Sequence, residues 1–212
     1  METPDRDALR AMLRVSASAH RCLCPRQVLG VRMGLLGGAL LGLTGPRTDK
    51  RLLVIAETDG CAVDGLTAAT GCAVGKRTLR IEDYGKVAAT FVDCGAGRSV
   101  RLVPSPESRT LAWAYVPDAE SRWHAQLAAY QIVPTSLLLR WEWVSMLAPV
   151  GGLVGTPGSR VSCQTCGEEV MNQREVTREG AVLCRACAGT SYYVTSATRP
   201  AGSRYIPGSG AA

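Results

Sequence analysis

Leu9, Met12, Leu13 and Ser16 follow the i, i+3, i+4, i+7 series of a single helix face, which predicts a helix over residues 5–20. Pro25 then opens a second helix that runs to about Leu43, proline being favoured at a first helical position. Gly30, Gly34, Gly38 and Gly42 fall every four residues along it. Each costs about 1 kcal/mol relative to alanine inside a helix. Such a stripe is read first as close packing of another helix or strand, and second as close approach of a ligand or a second subunit.

The apolar run Arg51–Glu57 predicts a buried strand, and Cys61–Gly71 a helix ended by its glycine. Strands are expected at 78–81, 87–92 and 99–103. The last two are joined by a turn-rich Asp93-Cys94-Gly95-Ala96-Gly97 and should form a hairpin. Helices are expected at 106–115 and 118–131. Leu139, Trp141 and Trp143 alternate with Arg140 and Glu142, which is a strand period. The pattern is therefore α+β, a mixed helix/sheet core domain over residues 1–147. Gly, Pro and small residues then mark a linker at 148–160, and a Gly/Ser/Pro-rich end predicts a flexible tail at 191–212.

Between linker and tail, residues 161–190 carry a cysteine pattern with its own chemistry. Cys163-Gln-Thr-Cys166 and Cys184-Arg-Ala-Cys187 are two matched pairs, seventeen residues apart. Two thiolates two residues apart on a tight turn can face one ion, and a second pair completes the tetrahedron zinc accepts. Four protein ligands leave no open position, so the predicted zinc is structural. A redox dithiol would not account for the second pair. The mixed charge of Glu168–Gly180 offers no dense basic face, which disfavours nucleic acid as the partner of this finger.

Composition narrows the rest. The chain has 46% apolar and 20% charged residues, an ordinary globular balance, with nine cysteines, one Phe and a net charge of +6. The positive excess is compatible with an anionic ligand, an acidic partner or nucleic acid. The first ten residues lack an apolar h-region, and Val28–Leu43 is too short for a span and contains Arg32. A cytoplasmic protein with no membrane segment is expected, its cysteines read as ligands or reactive thiols rather than disulfides.

A second cluster lies near the N-terminus. His20, Cys22 and Cys24 alternate, as an extended segment needs to point three ligands one way. Cys61 and Cys72 flank the predicted third helix, with Asp64 between them. If loop and helix face each other, these groups form an open metal site or a thiolate pocket; otherwise Cys61 and Cys72 are small buried hydrophobes. Thr70–Lys76 fails as a phosphate loop because its glycine spacing is short and Arg77 stands where Ser or Thr is needed. Lys76 and Lys86 can still bind an anionic group. His124 is read as a surface or satisfied core residue.

Several motifs in one order resemble the E-subunit family of formylmethanofuran dehydrogenase. They are His20…Cys24-Pro25…Gln27-Val28-Leu29-Gly30…Arg32-Met33-Gly34, Glu57-Thr58-Asp59…Cys61…Asp64, Thr70-Gly71-Cys72…Gly75-Lys76 and Asp83-Tyr84-Gly85-Lys86. The knuckle is similar to the DksA/TraR-type zinc finger that many members carry. The resemblance runs from about residue 15 to 189. It implies an α+β core, a homodimer, and a metal-binding pocket where the His and Cys motifs meet.

The family loop looks like His-Gly-His-x-Cys-Pro-Gly; here Arg21, Cys22 and Arg26 replace the first glycine, the second histidine and the last glycine. Cys22 keeps a ligand but softens the site, favouring zinc or another thiophilic ion. The two arginines favour a small anionic ligand. The resulting expectation is a metal-dependent enzyme or redox protein. A second metal ion, of unknown identity, would be held by His20, Cys22, Cys24, Cys61 and Cys72. Cys24, Cys72, Lys76, Tyr84 and Lys86 are the candidate catalytic groups. The alternatives are an accessory or metal-delivery partner of a molybdenum or tungsten oxidoreductase, and a zinc-finger regulator binding nucleic acid or RNA polymerase.

Overall fold

The structure, a computed structural model, describes residues 5–18, 22–150 and 158–194. The chain divides into two compact units, Met1–Val150 and Gly151–Ala212. Most of the expected linker and tail, and His20, lie outside the described residues.

In the first unit the elements follow the order α1 (Arg6–Ser18), α2 (Pro25–Leu41), β1 (Leu52–Ala56), α3 (Ala62–Thr70), β2 (Leu79–Ile81), β3 (Ala89–Asp93), β4 (Ser99–Pro104), α4 (Ser108–Tyr115), α5 (Arg122–Ile132), α6 (Thr135–Leu138) and β5 (Leu139–Val144). The fold class is α+β, as the hydrophobic pattern predicts. One five-stranded sheet has the order β2-β1-β3-β4-β5. Only β1 and β2 are parallel, linked through α3, with Val54 opposite Leu79. The rest are antiparallel, β1 with β3 through Val54–Phe91, β3 with β4 through Phe91–Val100, and β4 with β5 through Leu102–Trp141. The hairpin expected around Asp93–Gly97 is present, and Gly97 adopts a left-handed φ of 69°.

Helix α2 is the axis of the unit. Its Val28, Val31 and Met33 are fully buried, within one apolar core with Leu66 of α3 and Phe91 and Leu102 of the sheet. The glycine stripe resolves in favour of close packing. A Cβ at Gly30 would overlap the Ala62 carbonyl oxygen, and one at Gly65 would overlap the Gln27 carbonyl oxygen. At Gly37 a Cβ would meet the Phe91 ring at 2.5 Å. Glycines on both helices thus let the backbones of α2 and α3 touch. Gly42 plays a different part, ending α2 with a φ of 71° in the left-handed region that suits glycine.

Asp93 secures the far end of the sheet. Its carboxylate accepts from the Arg51 guanidinium at 3.0 Å and from the backbone N–H groups of Gly95 and Ala96 at 2.9 and 3.1 Å. Hydrogen bonding from Arg51 holds this carboxyl at a pKa of about 2, well below the ordinary carboxylate range.

In the second unit, β6 (Arg160–Ser162) pairs antiparallel with β7 (Glu169–Met171), and β8 (Val176–Arg178) with β9 (Ala181–Leu183). A short helical turn at Ala186–Thr190 follows. Each hairpin is three residues per strand, too small to bury a core of its own.

Two cysteine centres and their relatives

The first centre is the one the spacing predicts. Cys163 and Cys166 sit on the β6–β7 turn, and Cys184 and Cys187 follow β9. The four sulfurs all lie within 4.8 Å of one another. A tetrahedral ion bound to sulfur at about 2.3 Å sets the sulfurs on the order of 3.8 Å apart, and Cys166 and Cys184 are 3.9 Å apart. Gly167, at a φ of 76°, turns the chain so that its N–H donates to the Cys163 carbonyl at 2.9 Å. The two halves are stitched by Gln164, whose N–H donates to Val182 O at 2.9 Å while its side-chain oxygen accepts from Val182 N–H at 3.1 Å.

Within the cluster, Cys163 and Cys187 shift in opposite directions. Backbone N–H groups of Cys166 and Cys184 lower Cys163 to about 6. The neighbouring sulfurs, Cys184 first, push Cys187 up to about 12. This is a donor set that a soft dication satisfies by replacing the thiol protons. The residues fit a structural zinc.

The second centre is a cavity of 620 Å³ in the first unit, where the N-terminus of α2, the start of α3, the β4–α4 connection and one face of α5 meet. Cys24 and Arg26 come from α2 and its cap, and Cys61 from the residue before α3. Ser105, Ser108 and Arg109 come from around the start of α4, and Trp123, Gln126 and Tyr130 from α5 at i, i+3, i+7 spacing. Leu29, Val87, Pro104 and Pro106 complete the apolar walls.

Two buried polar side chains hold these walls. Gln27, fully buried, accepts from the Cys24 N–H at 2.7 Å and donates to the Ser16 carbonyl at 3.0 Å, so α1 and the cap of α2 are tied at one point. Arg32, 2% exposed, donates to the Tyr130 and Val133 carbonyls at 2.8 and 2.9 Å and to Thr135 Oγ1 at 3.0 Å. These carbonyls form the negative end of α5. Burial lowers the guanidinium to about 10, so it remains protonated at neutral pH and fixes Tyr130 in the wall. Neither Gln27 nor Arg32 lines the cavity, and each holds a residue that does, Cys24 and Tyr130.

Cys24 and Cys61 are brought together. Both line the cavity, and their thiols lie close enough to interact. Burial is the main reason the Cys24 thiol is raised, with Cys61 adding to it. The other described members of the expected N-terminal site, Cys22 and Cys72, do not line this wall. Cys72 follows the opposite end of α3, roughly 15 Å away at the helical rise. It is 2% exposed and its Sγ donates to the Leu52 carbonyl at 3.4 Å. Burial raises its thiol, as for the small apolar residue it resembles here. The expected convergence of Cys24 with Cys72 is therefore corrected.

Lys76 is exposed and donates to the Gly71 carbonyl at 3.3 Å, beside Cys72 rather than Cys24. Tyr84 is 66% exposed, with the Lys86 ammonium 5.9 Å from its ring centroid, and neither lines the cavity. Their loop is nevertheless anchored next to it. The Glu57 carbonyl accepts from the Tyr84 and Lys86 N–H groups at 3.0 Å, which presents the intervening loop so that Val87 reaches the wall. Cys22 is exposed, and His20 falls outside the described residues. Among the described residues, the knuckle is the one group of three or more His, Cys, Asp or Glu side chains placed to hold an ion. His124 is a surface residue in the first turn of α5, where its backbone N–H donates to the capping Ser121 Oγ at 3.3 Å.

Sequence reasoning missed Arg109, Trp123, Gln126 and Tyr130. No short motif contains them; the signal available was the shared face of α5.

Residues 19–139 match the family model described as FmdE, molybdenum formylmethanofuran dehydrogenase operon, more than half of the chain. The chain belongs to the FmdE family. Residues 155–193 match the prokaryotic DksA/TraR C4-type zinc finger, so the FmdE domain is followed by a structural zinc site. The chain is also similar to an Archaeoglobus fulgidus protein named as a probable S-adenosyl-L-methionine-binding protein. It is 32% identical over 108 residues, which is 50% of this chain but 29% of that protein. A crystal structure of a tungsten formylmethanofuran dehydrogenase FmdE-like protein from Syntrophus aciditrophicus matches at 20% identity and a TM-score of 0.52, covering 88% of this chain and 95% of that one. That likeness is one of fold. No described helix of this FmdE protein is long and apolar enough to cross a membrane.

Proposed function

We propose that the N-terminal unit is a metal-dependent small-molecule site that works at the Cys24–Cys61 cavity. The observation that carries this reading is the pairing of two thiols from separate helix starts on one wall of a ligand-sized cavity. Its 620 Å³ is within the range of small-molecule pockets. Two thiol ligands suit zinc or another thiophilic ion, and His20 lies four residues before Cys24 in sequence. A bound ion would supply Lewis acidity or hold a substrate thiol or water in an open position. The protein's own contribution is to hold Cys24 through Gln27, to shape the walls through Glu57 and Arg32, and to shield the thiols partly from bulk water. The described cysteines are all free thiols, which suits a reducing, cytoplasmic setting.

Metal analysis of protein purified without added metal tests the reading. Two equivalents per chain are expected in the wild type, falling to one in Cys24→Ser and in Cys61→Ser. One equivalent in the wild type leaves the knuckle alone and removes the second site.

A second reading is supported by the family's association with a molybdenum formylmethanofuran dehydrogenase operon. The protein would then be an accessory subunit or metal-delivery partner of a molybdenum or tungsten oxidoreductase, working as a homodimer. Co-purification of a large metalloenzyme from native cells is its expected result. The archaeal relative's name adds S-adenosyl-L-methionine as one ligand to titrate against the cavity.

A further inference from the structure

The cavity that holds the two thiols also carries cations. Arg26 and Arg109 both line it, and no Asp or Glu does. Neither guanidinium is in an ion pair among the described residues, whereas Arg51, Arg101 and Arg160 each are. Arg26 leans across the α2–α3 junction: its Nη1 is 3.8 Å from where a Cβ on Gly60 would sit, one residue from Cys61. Arg109 projects from the first turn of α4 beside Ser108, which is 5% exposed and hydrogen-bonds the buried Tyr130 side chain. Arg109 also lies near enough to Tyr130 for its charge to bear on the phenol.

Aromatic and proline surfaces surround these cations. Trp123 remains 42% exposed although it lines a cavity, and its ring meets His124 edge-on at 86° with centroids 5.0 Å apart. Pro104, Pro106 and Leu29 give further flat apolar wall. An indole left open beside two unneutralised guanidiniums matches a ligand that carries both a ring and a negative charge.

From this arrangement we infer that the cavity binds a small organic anion with a planar aromatic body. The ring lies against Trp123 and the anionic group, carboxylate or phosphate, is held by Arg109 and Arg26. The inference rests on the cavity being the working site, but it uses Arg26, Arg109 and Trp123 rather than the thiols and needs no metal.

Calorimetric titration of the full zinc-loaded chain with 2-naphthoate, 2-naphthyl phosphate and neutral 2-naphthol tests it. At least one of the two anions should bind the wild type about tenfold more tightly than 2-naphthol, as expected for a charge-assisted hydrogen bond. The tighter anion identifies the acceptor group as carboxylate or phosphate. Arg109→Gln should weaken anion binding about tenfold and leave 2-naphthol unchanged. Trp123→Ala should weaken all three probes. Both side chains are exposed, so both variants are expected to fold, which circular dichroism checks.

Binding of 2-naphthol as tight as the tighter of the two anions overturns the inference. So does anion binding that is unchanged in Arg109→Gln and Trp123→Ala, or no binding of either anion to the wild type. Metal content separates this result from the proposed function. Arg109→Gln should lose anion affinity while its metal content stays at the wild-type value.

Discussion

The knuckle and the cavity both use cysteine, but they assemble it by opposite means. In the knuckle the ligands come in pairs two residues apart, and short hairpins bring the pairs together. In the cavity, Cys24 and Cys61 come from separate helix starts and meet only because α2 and α3 pack backbone to backbone. The first centre creates its unit's structure, while the second is created by the structure around it. A metal is the core of the first, and the ion proposed for the second would be a guest in it.

The largest expected effect follows from that asymmetry. Cys184→Ser, or strong chelation, should remove one zinc and unfold the knuckle, since structural zinc contributes roughly 10 kcal/mol or more to such small modules. Heteronuclear NMR should show collapse of the signals from residues 160–190 with those of the FmdE domain retained. Retained knuckle dispersion without zinc would erase the contrast.

Gly65→Ala probes the cavity by the same logic, through packing rather than ligation. Its Cβ would overlap the Gln27 carbonyl oxygen and come within 2.7 Å of the Val31 nitrogen. Backbone against backbone cannot yield cheaply, so a loss of about 3 kcal/mol or more in the first unit is expected by chemical denaturation. Cavity metal should be lost with it and knuckle zinc retained.

Asp93→Asn should cost less and carry a pH signature. Arg51 lowers the folded pKa of Asp93 to about 2 from the ordinary 3.8. A depressed carboxyl contributes stability that is fully present above its unfolded pKa and is lost as pH falls through its folded one. The window is therefore from about pH 4 down to about pH 2. Because Arg51 is half exposed, the contribution is on the order of 1–2 kcal/mol. At pH 7 the variant should be less stable by that amount, and the gap should close on acidification, measured by denaturant titration at each pH.

Cys72→Ser should have the smallest effect. A buried hydroxyl replaces a buried thiol and can keep the bond to the Leu52 carbonyl, so a change of about 1 kcal/mol is expected with metal content unchanged. A loss of metal equal to that of Cys61→Ser would bring Cys72 back into the site.

The sequence by itself determined the knuckle, because the ligands of a local metal site are a matter of spacing and thiolate chemistry. It also determined the main helices and strands of the first unit apart from the short α6, down to the Asp93–Gly97 hairpin, because helical and strand periods differ and glycine and proline mark the ends. The glycine stripe announced a close contact on α2. Only the tertiary structure decided what that contact was and which distant residues shared a wall. It placed Cys61 beside Cys24 and carried Cys72 to the other end of α3. It also brought Arg109, Trp123 and Tyr130 in from 48 to 69 residues beyond Cys61, by sequence number. A helix has two ends, and residues that flank it in sequence are separated by its length in space. That separation is invisible to spacing alone.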